Sequence, residues 1–357
     1  MRQFWQSILH LWEAKPGFKA AAAYLMLLLL LALSLPWLPL PYPPNYLDLA
    51  HPYLPPFKDI VHPLGTDGLG RDLLSNVLYG ARTSFMISVP VMLFATAIGM
   101  LLGTTAGFFG NDSLQQPRYS VLFWLLSFPA VLYFAVYLPL QVYQLEMELT
   151  YIILPVAALT GWLLLMWLLL NALQRFVPFL KLKMAIPIDK VVMRLTEALT
   201  SIPRFVLILA LASFIPPSLF MLSLLLIFTI WPATARLSRA EMLRIKQLPY
   251  FEAACSIGNR PFQLIWRHAL PNLAGPILIA FTFGLGGLLT LESTLSFLNI
   301  GVPTSLVSWG RTISGIRSNT SAWWLVVFPG GLLSLTIMAL YTCSYYFTQV
   351  FSQKGRR

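Results

Sequence analysis

The chain has 357 residues, 57% of them hydrophobic and only 10% charged. A soluble domain carries about 25% charged residues, so the composition excludes a water-soluble globule and leaves an all-α polytopic membrane protein. The formal net charge of +11 is scattered through short loops between apolar runs, which excludes a nucleic-acid-binding face.

The N-terminal segment places Arg2, Lys15 and Lys19 ahead of an apolar run at 20–40. That run is long for a signal-peptide core. Pro36, Pro39 and Pro41 follow it instead of a small-x-small cleavage site, so it reads as an uncleaved first span. Further apolar runs able to cross about 30 Å lie at 84–109, 119–144, 151–172, 195–215, 218–237, 273–298 and 323–350. This makes eight expected spans. The fifth and sixth are separated by Pro216-Pro217, a pair suited to a tight turn. With the N-terminus inside, eighteen of the 24 Lys and Arg residues fall in inner segments. Five fall in outer ones: Lys58, Arg71, Arg82, Arg311 and Arg317. The bias predicts cytoplasmic termini and puts the acidic stretch 145–150 outside.

The outer loop before the second span holds Gly65-Thr66-Asp67-Gly68, which is turn chemistry, and Leu69 to Leu78 fits a helix lying at the membrane surface. Asp67, Arg71 and Asp72 in this loop suit either a docking contact at the mouth of a path or a structural turn with local ion pairs. The longest inner loop, 238–271, contains Pro249, Gly258, Pro261 and Pro271. It predicts two short helices with Gly258 ending the first in a left-handed conformation and Pro261 opening the second. Phe262, Ile265 and Trp266 share a face of the second, and Ala253 and Ala254 allow close approach to the first. The element either docks a partner or rests on lipid headgroups. His268 suits a cap or a groove contact, because no other residues supply it with a metal-ligand set.

Glu292 is the sharpest intramembrane feature. A charge there costs about 3 kcal/mol or more, so it should face the bundle interior. It could line a path, or pair with Ser293, Ser296 or a partner subunit for packing. Glycines at 284, 286 and 287 suit close helix contact. Trp323-Trp324 and Tyr345-Tyr346 suit interfacial belts. Cys255 and Cys343 lack metal-ligand spacing and read as free thiols. No phosphate-cradling Gly-x-x-x-x-Gly-Lys-Ser/Thr stretch appears, so ATP binding is not expected of this chain. No cofactor or metal site is expected either.

Four stretches together carry a family resemblance. Glu252-Ala253-Ala254, Gly258 and His268-Ala269-Leu270-Pro271 resemble the Glu-Ala-Ala loop of ABC importer permeases. "HPLGTDGLGRDLLSNVLYGARTS" (62–84), "MRLTEALTSIP" (193–203) and "LESTLSFLNIGVPTSLVSWG" (291–310) are similar to segments of the dipeptide, oligopeptide and nickel group of that family. Glu197 stands where Asp is usual.

The resemblance implies a type I importer transmembrane domain over 62–110 and 188–350. It would be preceded by residues 1–61, with the first span and an outer loop, and followed by a cytoplasmic tail, 351–357. It implies two ATP-binding subunits seated against the 250–271 loop, a second permease chain and an extracytoplasmic solute-binding protein that the outer loop could meet. The cargo would be peptide-like solutes or chelated metal, crossing a bacterial inner membrane by alternating access. About seventy-five residues, 111–187, intervene where the family runs almost directly from "AGFFG" into the Met-Arg segment. They read as an inserted transmembrane hairpin. Two other classes remain open: an ion-coupled secondary transporter and a non-transporting membrane scaffold.

Overall fold

The computed structural model describes residues 11–13, 15–145, 151, 153–214, 218–303 and 305–354. The expected turn at Pro216-Pro217 and residues 146–150 of the acidic stretch lie outside them. In chain order the elements are α1 (Pro16–Ser34), α2 (Leu73–Phe109), strand β1 (Gln115–Pro117), α3 (Arg118–Tyr137), α4 (Ile153–Phe176) and β2 (Lys183–Ala185). There follow α5 (Ile188–Thr200), α6 (Arg204–Ala212), α7 (Leu219–Lys246), α8 (Pro249–Ser256), α9 (Pro261–Phe297), α10 (Trp309–Ser314) and α11 (Trp324–Lys354).

Among the described residues, seven helices are long and apolar enough to cross a membrane: α1, α2, α3, α4, α7, α9 and α11. The expected fifth span, 195–215, is not one straight helix. α5 and α6 meet at a 78° bend. Pro203 lacks an N–H and disfavours helical geometry at Ile202, which ends α5 and restarts the chain in a new direction. α5 is amphipathic. Lys190, Arg194 and Glu197 occupy one side, and Val192 and Thr196 are buried on the other. Counted with α6 as one broken span, it brings the total to eight.

The chain divides into two compact units, residues 109–191 and the remainder. In the larger unit, Val91 and Ala95 of α2, Ile208 of α6, Leu226 and Ala235 of α7, and Leu289 and Leu295 of α9 form one fully buried cluster. The α2–α7 crossing follows from Gly99, Gly103 and Gly107, spaced one helical turn apart on one face. A Cβ at Gly103 would run into the Ala235 carbonyl oxygen, so the two backbones touch as only small residues allow. α1 packs on α11 through Phe18, Ala21, Ala339, Cys343 and Phe347, and Tyr24 shares a 3.0 Å hydrogen bond with Thr336.

In the smaller unit, β1 and β2 pair antiparallel, with Gln116 opposite Met184. The Arg118 guanidinium stacks 3.9 Å over the Phe179 ring. The backbone N–H of Asp189 donates to the Gly110 carbonyl at 3.2 Å, and that of Lys190 donates to the Asn111 side chain at 3.0 Å. Entry and exit of this unit are therefore hydrogen-bonded neighbours.

Helices extend well beyond their apolar runs. α2 begins at Leu73 rather than 84, so Leu69–Leu78 is no separate surface helix; its second half is the first turns of the span. α7 continues to Lys246, which shortens the expected 238–271 loop to two short connections around α8. The expected second helix of that loop does not end at Pro271 but runs on as α9.

Candidate functional site

At one end of the larger unit, α7 hands over to α8 through Gln247 and Leu248. Lys246 donates to the Phe108 carbonyl at 3.0 Å and fixes that corner. Pro249 opens α8 at its first turn, where its missing N–H costs nothing. Gly258 ends it with φ of +83°, the left-handed geometry that spares glycine a Cβ clash. Pro261 then opens α9. Within α9, residues 264–269 form a wide π turn. Pro271 follows at once; widening the preceding turn relieves the clash a proline ring makes with the carbonyl four residues back.

The side chains of this element divide in two. Phe251 and Ala254 are buried with Met242, Ile245, Leu264, Ala269 and Leu273, and the Phe251 ring meets Phe108 edge-on at 6.5 Å. Glu252, Ala253, Ile257, Phe262 and Trp266 face outward. Ile257 is 81% exposed, Phe262 72% and Trp266 63%, and the last two rings stack at 5.9 Å. Glu252, Ala253, Gly258, Phe262 and Trp266 are thus all exposed. Ala254 is different: it packs inward and offers no surface. His268 is half-buried on the π turn, and its carbonyl accepts from Asn272 at 2.7 Å.

Glu292 lies in the last turns of α9, against Ser84 of α2, and is fully buried. Ser84 of α2 donates to one carboxylate oxygen at 2.9 Å and Ser296 to the other at 2.9 Å. Ser293 reaches the first at 3.5 Å. Beside it, Trp309 of α10 is wholly enclosed and its indole N–H donates to the Val77 carbonyl at 2.8 Å. Three hydroxyls thus satisfy the carboxylate inside a helix–helix contact. A Cβ at Gly284 or Gly286 would meet Met92 or Tyr341, whereas Gly287 faces open space.

That space is a cavity of about 330 Å³ lined by Met92, Arg204, Thr234, Phe283, Gly287 and Leu291, among others. Arg204 at its wall was visible in the sequence only as one more charge. No periodicity marks a residue placed there by the break between α5 and α6.

The opposite end holds the outer-loop residues. Asp67 receives the backbone N–H groups of Leu69 and Arg71 on one oxygen and pairs with the Arg71 Nε at 2.7 Å on the other. Asp72 caps α2, accepting from the Ser75 N–H at 2.8 Å. All three residues are therefore engaged in hydrogen bonds within the loop or at the start of α2. Arg311 donates to the carbonyls of Pro303 and Leu306 at 3.0 and 2.9 Å. Burial and the nearby Arg71 charge lower its pKa from the ordinary guanidinium value.

Residues 179–356 match the family of binding-protein-dependent transport system inner membrane components. The chain belongs to that family. Its relatives include a D,D-dipeptide transport system permease protein of Escherichia coli K12, 26% identical over 91% of this chain and 83% of the relative. A di/tripeptide transport system permease protein of Pseudomonas aeruginosa is 23% identical over 95% and 88%. An oligopeptide transport system permease protein of Bacillus subtilis is 24% identical over 76% and 65%. As a permease of this family with seven apolar helices among its described residues, the chain is a multi-pass inner-membrane protein.

Proposed function

We propose that this permease is one transmembrane subunit of an ATP-driven importer of peptides. α8, the Gly258 turn and the start of α9 would be the element that meets a separate ATPase subunit. The observation that carries the reading is the exposed set Glu252, Ala253, Ile257, Phe262 and Trp266 on a backbone continuous with the span that holds Glu292. Three large apolar side chains at a bundle end need a covering surface, and in a membrane permease of this family an ATPase groove supplies one. The charge bias puts this end, and both termini, in the cytoplasm.

The cargo follows from the peptide specificities in the relatives' names. The cavity walled by Arg204, Thr234 and Gly287 would be half of a path completed by a second permease chain. A guanidinium at that wall suits a peptide carboxylate. Nucleotide-driven movement of α8 would tilt α9 and open the two ends in turn. Residues 111–187 would be a hairpin added to the family's transmembrane domain. An ion-coupled mechanism would need a free ionisable group on the path, whereas Glu292 is enclosed by serines away from the cavity.

The test compares Ala253→Trp and Phe262→Asp with the parent protein, expressed with its ATPase and binding-protein partners. Both side chains are exposed, so normal membrane levels are expected, with ATPase copurification and peptide-stimulated ATP hydrolysis falling at least ten-fold. Full copurification and hydrolysis in both variants would make the element a headgroup-resting surface.

A further inference from the structure

The loops ahead of α2 contain a constellation outside the site described above. Asp48, His51 and His62 each present a ligand atom, all within 4.8 Å of one another. His62 is 1% exposed. Its Nδ1 lies 3.1 Å from the buried Asp72 carboxylate. With its one N–H donated there, a neutral imidazole turns the lone pair of Nε2 the other way. That nitrogen has no hydrogen-bond partner, and it faces an oxygen of Asp48 at 3.5 Å. The Nδ1 of His51 approaches the same oxygen at 2.9 Å. Ligand atoms of three residues thus lie within 4.8 Å of one another, with one Asp48 oxygen facing both rings.

The surroundings hold them in place. The other Asp48 oxygen accepts the Ala50 N–H at 3.1 Å, which orients the carboxylate. The His51 carbonyl accepts from the Thr66 hydroxyl at 2.6 Å, tying this loop to the turn ahead of α2. Tyr42 stacks on the His62 ring at 4.8 Å. His51 is exposed on its outer side, so a fourth position opens to solvent.

We propose that Asp48, His51 and His62 bind a divalent transition-metal ion, with Asp72 as the carboxylate that orients His62. Two imidazoles and a carboxylate are the donor set that suits Zn²⁺. Tetrahedral ligands with bonds of about 2.0–2.1 Å sit roughly 3.3 Å apart; here the two rings lie 2.9 and 3.5 Å from the Asp48 oxygen and no separation in the triad exceeds 4.8 Å. A ligating histidine whose other nitrogen donates to a carboxylate is the usual support of such a site. The two carboxylates and two neutral rings together carry the charge that one dication balances. The site would staple residues 48–51 to the 62–72 turn at the mouth of the bundle. Its ligands follow no metal-binding sequence spacing, and only the fold brings 48 and 51 to 62.

The test uses the untagged full-length protein in detergent, stripped with chelator and titrated with Zn²⁺ by calorimetry and with Co²⁺ by visible absorption. About one equivalent per chain is expected, with the intense bands of four-coordinate Co²⁺ and a Tm that rises with Zn²⁺. His51→Ala, at an exposed side chain, and the isosteric Asp48→Asn should each weaken Zn²⁺ binding at least ten-fold. Asp72→Asn should weaken it by about 10–100-fold, and His268→Ala should leave it unchanged. Absence of stoichiometric binding in the parent protein would overturn the proposal. So would His51→Ala and Asp48→Asn variants that bind within ten-fold of it.

Discussion

Ala253 and Ala254 are adjacent and chemically identical, yet the helix turns them to opposite fates. Ala254 is 4% exposed in the cluster around Phe251 and Leu264, so Ala254→Trp forces an indole into a packed core. Overpacking of this kind costs about 1–3 kcal/mol or more, and the expected result is a lower yield of folded protein in a detergent-stability assay. Ala253→Trp should show no such loss. Glu292 allows a sharper contrast. Glu292→Gln keeps one acceptor oxygen and turns the other into an NH2 donor, from which a serine hydroxyl oxygen can accept after rotating its proton away, so folding should survive. Glu292→Lys puts a cation where only hydroxyls wait, and membrane levels should fall several-fold. Ser84→Ala should cost about 1–3 kcal/mol by removing one of the carboxylate's donors. Normal thermal stability in both the lysine variant and Ser84→Ala would mean that the carboxylate reaches water.

At the scale of elements, α9 joins the exposed Phe262–Trp266 face to the buried Glu292 in one helix. A rigid rod transmits tilt; a soft joint dissipates it. Replacing Leu270 and Pro271 together by glycine should lower peptide uptake at least ten-fold while the ATPase still copurifies. Uptake at the parent rate would show that α9 need not be stiff there.

How far such elements could be read in the sequence depended on what their residues report. Apolar runs mark the stretch inside hydrocarbon, not the helix, so α7 was legible to about 237 but its charged last turns, from Arg239 to Lys246, were not. Gly258 and Pro261 spoke for themselves because backbone chemistry is local. The break at Pro203 was hidden, since Leu and Ile on either side look alike whether the helix bends or not. The inward face of Ala254, the Gly99–Gly103–Gly107 contact and the meeting of Asp48 with His62 depend on partners remote in the chain, which no local pattern encodes.

At the scale of the whole molecule, orientation can be measured directly. Single cysteines placed at exposed Ile257 and exposed Phe57 should label from opposite sides of the membrane, Ile257 from the cytoplasm. Labelling of both from the same side would defeat the proposed topology. Residues 109–191 raise a different question, because the chain leaves at Gly110 and returns at Asp189 hydrogen-bonded to where it left. Paired antiparallel backbones lie about 5.5 Å apart, a gap that a Gly-Gly link from Asn111 to Ile188 can close. A chain shortened in this way should still insert, keep its remaining loops on the same sides and copurify with its partners. That outcome would make the segment, in evolutionary terms, a detachable cassette, gained or lost in a single event without renegotiating the rest of the bundle.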